Sequence, residues 1–168
     1  MTPDEERSVD RRLLAELDTL LARVPDAIPW AERPANSVDF VESPSSSTLR
    51  DTRVDPAGVS ELYALCSSIS MADVDNGWFI HPRARADRDD EFIPRSIVGR
   101  GPCFPIGSDG VGGWLVVDDE GAVLMLAEGA IRANRYEPAG SDSVVVAAES
   151  IRGLIRFFIE RVRATITT

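Results

Sequence analysis

Between Pro102 and Leu126 three short apolar runs follow one another: Cys103-Phe104-Pro105-Ile106, Trp114-Leu115-Val116-Val117 and Val123-Leu124-Met125-Leu126. Glycine- or aspartate-rich punctuation separates them, and none is long enough to bury a helical face. Runs of this length joined by short turns predict consecutive antiparallel strands, a meander. Ile131 to Tyr136 adds a weaker edge strand, since Ile131 and Ala133 alternate with Arg132 and Asn134 after the turn at Glu128-Gly129. The chain then closes on its clearest helix. Ile151, Leu154, Ile155, Phe158, Ile159 and Val162 recur at intervals of three and four, with Arg152, Arg156, Glu160 and Arg163 opposite. Such a stripe must be buried, and the sheet offers the surface to bury it.

Upstream, Val9, Leu13, Leu17, Leu20, Leu21 and Val24 predict a helix over residues 4–24, with Thr2 and Glu5 at capping-box spacing and Pro25 as its end. Ser37 to Val41 alternates like a short strand, amid a Pro/Ser-rich connection that includes Ser43-Pro44-Ser45-Ser46-Ser47. Asp55-Pro56 opens a second helix, expected to run to about Ser70 on Val59, Leu62, Leu65, Cys66 and Ile69. After the turn Asp75-Asn76-Gly77 comes the strand Trp78-Phe79-Ile80, which stops at His81-Pro82 and leads into a charged loop, Arg83 to Glu91. Helices, then consecutive strands, then a helix define an α+β class: a central antiparallel sheet packed by helices, with an extra N-terminal helix. Residues 1–54 form the helix and connection, and residues 55–168 the domain proper. Whether residues 1–24 pack on the surface or form an arm stays open.

The chain has 168 residues, 28 acids against 18 basic residues and a net charge of -10. That charge opposes generic binding to nucleic acid or to an anionic membrane, and attracts a basic partner. Residues 25–81 alone hold nine acids and three arginines. The N-terminus has no basic start followed by an apolar run, and no window approaches eighteen apolar residues, so a cytoplasmic address is expected. All 18 basic residues are arginine, which removes Schiff-base lysines and lysine phosphate loops. Cys66 and Cys103 lack metal-site or redox spacing and are read as reduced, buried thiols, with a single bridge still open.

No residue pattern demands catalysis. The only histidine, His81, would have to serve any triad, while Ser108 lacks a nucleophile elbow. The run Gly107-Ser108-Asp109-Gly110-Val111-Gly112-Gly113 lies between strands and has no lysine, so a tight or bulged connection is expected, with glycines supplying positive φ angles. Asp118, Asp119 and Glu120, like Asp87, Asp89, Asp90 and Glu91, crowd turns without a calcium-loop pattern. Trp78 and Trp114 are expected as core aromatics. No catalytic residue, metal or cofactor is therefore assigned.

The order of elements and certain residues resemble the SUKH superfamily, which includes the fungal Smi/Knr regulators and bacterial immunity proteins. The resemblance rests on Phe104-Pro105-Ile106-Gly107-Ser108-Asp109-Gly110 followed by Gly112-Gly113, the strand from Trp114, Asp118, Gly121 and Val123. Leu62-Tyr63-Ala64-Leu65 leading to Asn76-Gly77, and Ala147 to Ile151 running into the last helix, agree with it. It covers roughly residues 55–163 and implies a noncatalytic protein-binding domain, in bacterial relatives often an antidote to a cognate toxin. A basic toxin domain, for example a nuclease, is then the expected partner. On charge and expected exposure, Asp73 and Asp75, with Asp118, Asp119 and Glu120 at the hairpin tip, are the expected partner-binding residues. A regulatory scaffold of the Smi/Knr type is the alternative, and a small hydrolase or nucleotide-binding enzyme around His81, Ser108 or the aspartates is a third.

Overall fold

The computed structural model describes residues 3–41 and 55–167; Thr2 and residues 42–54, with the Ser43 to Ser47 run, lie outside them. The helices are α1 (Pro3–Leu21), α2 (Val24–Ala27), α3 (Val59–Leu65), α4 (Arg83–Ala86) and α5 (Ile151–Thr167). The strands are β1 (Asn36–Phe40), β2 (Cys66–Met71), β3 (Trp78–Ile80), β4 (Ser96–Ile97) and β5 (Gly101–Asp109). They continue with β6 (Trp114–Asp118), β7 (Val123–Leu126), β8 (Gly129–Arg132), β9 (Arg135–Pro138) and β10 (Val144–Ala148). The class is α+β. Seven strands run antiparallel in the order β1-β2-β3-β5-β6-β7-β10, so the expected meander extends across the molecule. On the edge of β5 shared with β3, β4 pairs Pro102 and Gly101, then joins the β8–β9 hairpin through a parallel pairing with β9.

Alternation along the strands sorts side chains onto two faces. Ile69, Ile80, Ile106, Leu115, Val117 and Val123 point into one core with Leu14, Leu17 and Leu21 of α1 and Leu154, Phe158 and Val162 of α5. Helix α1 is thus no arm: all three leucines are fully buried. Ion pairs Asp10–Arg152 (2.6 Å) and Glu16–Arg163 tie α1 to α5. On the other face Val116, Leu124 and Leu126 form a second core with Ile97 and Tyr136. There the Tyr136 hydroxyl lies within hydrogen-bond distance of the Glu128 (2.8 Å) and Ser143 (3.0 Å) carbonyls. The margins of the main seven-strand run differ. At β1 the outward Val38 N–H donates to Asp18 of α1 (3.2 Å), whereas β10 leaves Val145 and Val146 half exposed, with no further strand beside it among the described residues.

Several expectations need correction. The first helix ends at Leu21, and Pro25 opens α2 instead of closing α1, a position its fixed φ and missing N–H tolerate. The turn between them lets Val24 reach full burial against α5. The second helix begins only at Val59, because Gly58 takes a left-handed φ of 86°, and ends at Leu65. Cys66 and Ile69 belong to β2, where Ile69 and Met71 alternate with Ser68 and Ser70. The charged loop starts as the short helix α4. The single edge strand over Ile131 to Tyr136 is a tight hairpin, turned by Ala133 and Asn134 at φ 49° and 62°. The approach to the last helix is itself a strand, β10, paired with β7. In the glycine-rich connection, Gly107 and Gly110 answer a need for close backbone approach: a Cβ would stand 2.0 Å from the Phe79 carbonyl oxygen and 1.6 Å from that of Asn76. Gly112 alone in that run has the expected positive φ, at 103°.

Candidate partner-binding site

The turn joining β6 and β7 is built by its first residue. Asp118 Oδ1 accepts the N–H groups of Glu120 (3.1 Å) and Ala122 (2.8 Å), and Gly121 at φ 90° completes the reversal. An aspartate that satisfies the N–H groups of its own turn in this way holds the turn backbone in one conformation. Asp119 and Glu120 are thereby fixed at the tip, exposed to solvent, with no hydrogen bond or ion pair from their side chains among the described residues. Across from the tip, Ala57 approaches Gly121, its Cβ 3.2 Å from where a Cβ would stand.

This contact separates two cavities. On one side, a space of about 540 Å³ has a floor of Leu14, Leu62, Leu65, Ile151 and Ile155 from α1, α3 and α5. Its rim carries Glu61, Glu120 and Glu149 against Arg7, while Asp10 and Arg152 neutralise each other. On the other side, a space of about 630 Å³ is walled by Pro56, Pro102, Cys103 and Phe104, with Asp55, Arg95 and Asp119 at its margin. Asp55 is engaged: Arg83 grips both of its oxygens (2.7 and 2.9 Å) and Ser60 donates to it (2.6 Å). Burial raises its carboxyl pKa, but those hydrogen bonds outweigh it and the net shift is downward. The Arg83 guanidinium also lies 5.7 Å from the Phe104 ring centre, a cation–π distance.

The expected binding acids therefore divide. Asp73, in the turn after β2, accepts from the buried Asn36 amide (2.6 Å) and its N–H donates to Asn36 Oδ1 (3.2 Å), which ties that turn to the start of β1. Asp75, at φ 55°, is clasped by Arg161 of α5 and accepts from Trp78 Nε1 (3.2 Å), hydrogen bonds that lower its pKa. Asp118 is turned inward on its own hairpin. Asp119 and Glu120 remain free to meet a partner, and the fold adds Glu61 and Glu149 to them. No signal in the sequence marks Glu61 and Glu149, because their neighbourhood depends on α3 and α5 meeting α1, which no local pattern encodes.

The fold also brings together two residues the sequence kept apart in role. Ser108 Oγ and His81 Nε2 are 2.9 Å apart on the face of the sheet away from the helices. The His81 ring stands edge-on to Trp114, and Arg85 lies 6.0 Å from the Trp114 ring centre. Trp114 is thus half-buried on a sheet face, while Trp78 packs on Phe157 and Phe158. Burial and the nearby Arg85 lower the His81 pKa to about 4, so the ring is neutral near pH 7. Among the described residues no carboxylate hydrogen-bonds its other nitrogen. Cys66 and Cys103 are free and buried, their thiols pushed up to about 12 by burial, far from the range of an activated nucleophile. Among the described residues no three His, Cys, Asp or Glu converge as metal ligands, and no helix is long and apolar enough to cross a membrane.

Fold and site together define an α+β domain with a helix-covered antiparallel sheet and an acidic turn set between two apolar-floored cavities. Comparison with protein-family models, with curated proteins and with solved structures finds no match for this chain.

Proposed function

We propose that the chain is a noncatalytic protein-binding domain of the SUKH type, an antidote that neutralises a basic toxin domain through the β6–β7 turn. The observation that carries this reading is the state of Asp119 and Glu120. Both are exposed and without an internal partner among the described residues, on a turn fixed by Asp118, and each lines an apolar-floored cavity. Uncommitted charge on a rigid support accelerates encounter with an opposite surface, and concave apolar floors give that encounter a place to lodge anchors. A nuclease fits as target because the groove that holds its substrate must be basic, and an acidic antidote seated there excludes nucleic acid.

The test is capture of partners from the native lysate at low and high salt, followed by an assay of whether each captured protein is inhibited. A single basic, toxic protein that is inhibited and whose capture weakens at high salt is the expected result. The double variant Asp119→Lys, Glu120→Lys should lower affinity at least about tenfold, mainly through the association rate, with the thermal midpoint little changed because both side chains are exposed. Captured proteins that bind without inhibition would instead indicate a regulatory scaffold.

The 2.9 Å contact of Ser108 with His81 favours a second reading, a small hydrolase. It ranks below the first because no carboxylate orients the ring among the described residues and Ser108 lies in strand register with Phe79 and Trp114 on both sides. Labelling of Ser108 by a fluorophosphonate, lost in Ser108→Ala and in His81→Ala, would raise it above the antidote.

A further inference from the structure

We propose that the partner is gripped by two long basic side chains, arginine or lysine, one lodged on either side of the β6–β7 turn. The inference rests on the protein-binding reading and specifies the chemistry of the contact. Both cavities combine the same two elements: a floor or wall of carbon and a carboxylate at the margin that nothing else engages. On one side Leu62, Leu65 and Ile151 lie beneath Glu61, Glu120 and Glu149; on the other Pro56, Pro102 and Phe104 lie beside Asp119. A small anion has no place in either. A purely apolar side chain would leave the carboxylates unanswered, and a short cation would leave the carbon surface wet. An arginine or lysine matches both, because its three or four methylenes cover apolar surface while its head stays at the charged rim.

The shared wall makes the arrangement two-sided. Asp119 and Glu120 are consecutive residues, yet they line different cavities, and on the opposite bank Asp55 and Pro56 line one while Ala57 and Gly58 line the other. A single partner loop crossing this ridge reaches both spaces. Of the cations around the two spaces, Arg83 is held by Asp55 and Arg152 by Asp10, Arg95 at the margin of the second donates to the Arg88 carbonyl (2.9 Å), and Arg7 stands on the rim of the first. Around the first space three glutamates outnumber Arg7, so the local field there favours positive charge; around the second Asp119 and Arg95 offset each other, and the preference for a cation rests on Asp119 itself and on the net charge of the chain.

The experiment is an NMR titration of the full, 15N-labelled chain with three probes: N-acetylarginine methylamide, methylguanidinium, and N-acetylnorleucine methylamide. The first has stem and head, the second the head alone, the third the stem alone. Expected are two groups of shifted amides, one around Gly58 and Gly121 and one around Cys103 and Phe104. Affinity for the arginine probe should exceed that for either other probe by about tenfold, as burial of one or two methylenes requires. Asp119→Asn should silence only the Cys103 and Phe104 group, and Glu120→Gln with Glu61→Gln only the other. Peptides with two arginines separated by one, two or three glycines should, at one spacing, bind tighter than the single-arginine probe by at least tenfold, and Asp119→Asn should abolish that gain. Equal affinity for the arginine probe and methylguanidinium would overturn the proposal. So would shifts spread evenly onto Asp89, Asp90 and Glu91, or the lack of any spacing that improves on one arginine. The antidote reading fails separately: an uninhibited partner with a positive titration removes the toxin and keeps the two grooves, whereas an inhibited toxin with a negative titration does the reverse.

Discussion

At the scale of single residues, close backbone approach constrains the glycine-rich connection between β5 and β6. Gly107→Ala must push a Cβ to 2.0 Å from the Phe79 carbonyl, so β3 and β5 have to part, and a loss of about 3 kcal/mol or more in urea denaturation is expected. Gly112→Ala meets open space and strains only its φ of 103°, so about 1 kcal/mol should be lost. The sequence marks both glycines as turn formers, and only the three-dimensional approach of Phe79 to Gly107 distinguishes their reasons. His81 gives the pH signature. Its folded pKa of about 4 lies below its ordinary 6.5, so the unfolded chain takes up a proton first as pH falls. The stability this group contributes is complete above about pH 6.5 and is lost between there and pH 4. Urea midpoints of the parent should drop over that window, and His81→Gln should show a flatter profile; identical slopes would remove the buried neutral histidine from the account. The depressed carboxyls of Asp55 and Asp75 add their own loss lower, once pH falls below the ordinary carboxyl value of 3.8.

Among the elements, those with one unambiguous period are legible in the sequence. The stripe of α5 and the apolar runs of β5, β6 and β7 read correctly because their spacing matches only one kind of buried surface. The segment after Leu65 misleads because Cys66 and Ile69 continue a helical stripe while Ile69 and Met71 also alternate; pairing of β2 with both β1 and β3 decides for the strand. The β8–β9 hairpin is hidden because Ala133 is not a residue that announces a left-handed turn. The period of α1 reveals a helix but not a wall of the core. Its burial predicts that Leu17→Ala costs about 2 to 5 kcal/mol, as large as any core truncation, measurable by thermal or urea unfolding. A loss under about half a kcal/mol would mean that α1 is only loosely docked.

Across the whole molecule, one sheet serves two cores, and each holds one thiol: Cys66 lies with the helices, Cys103 with the opposite layer. If the layers unfold as a single cooperative unit, both cysteines should become reactive to a thiol reagent at one urea midpoint. Two midpoints would show that the layer of β4, β8 and β9 opens on its own. The charge of the molecule is plain from its composition, and with it the candidate acids at the hairpin tip. The cavities on either side are not, because their floors come from α1, α3, α5 and the segment around Pro102, brought together only by folding. The margins of the sheet have a further consequence. Asp18 takes one outward N–H of β1, while β10 and, on the smaller branch, β8 each pair on one side only among the described residues. Strand addition therefore has more than one place to start, and the half-exposed Val145 and Val146 make β10 the apolar one.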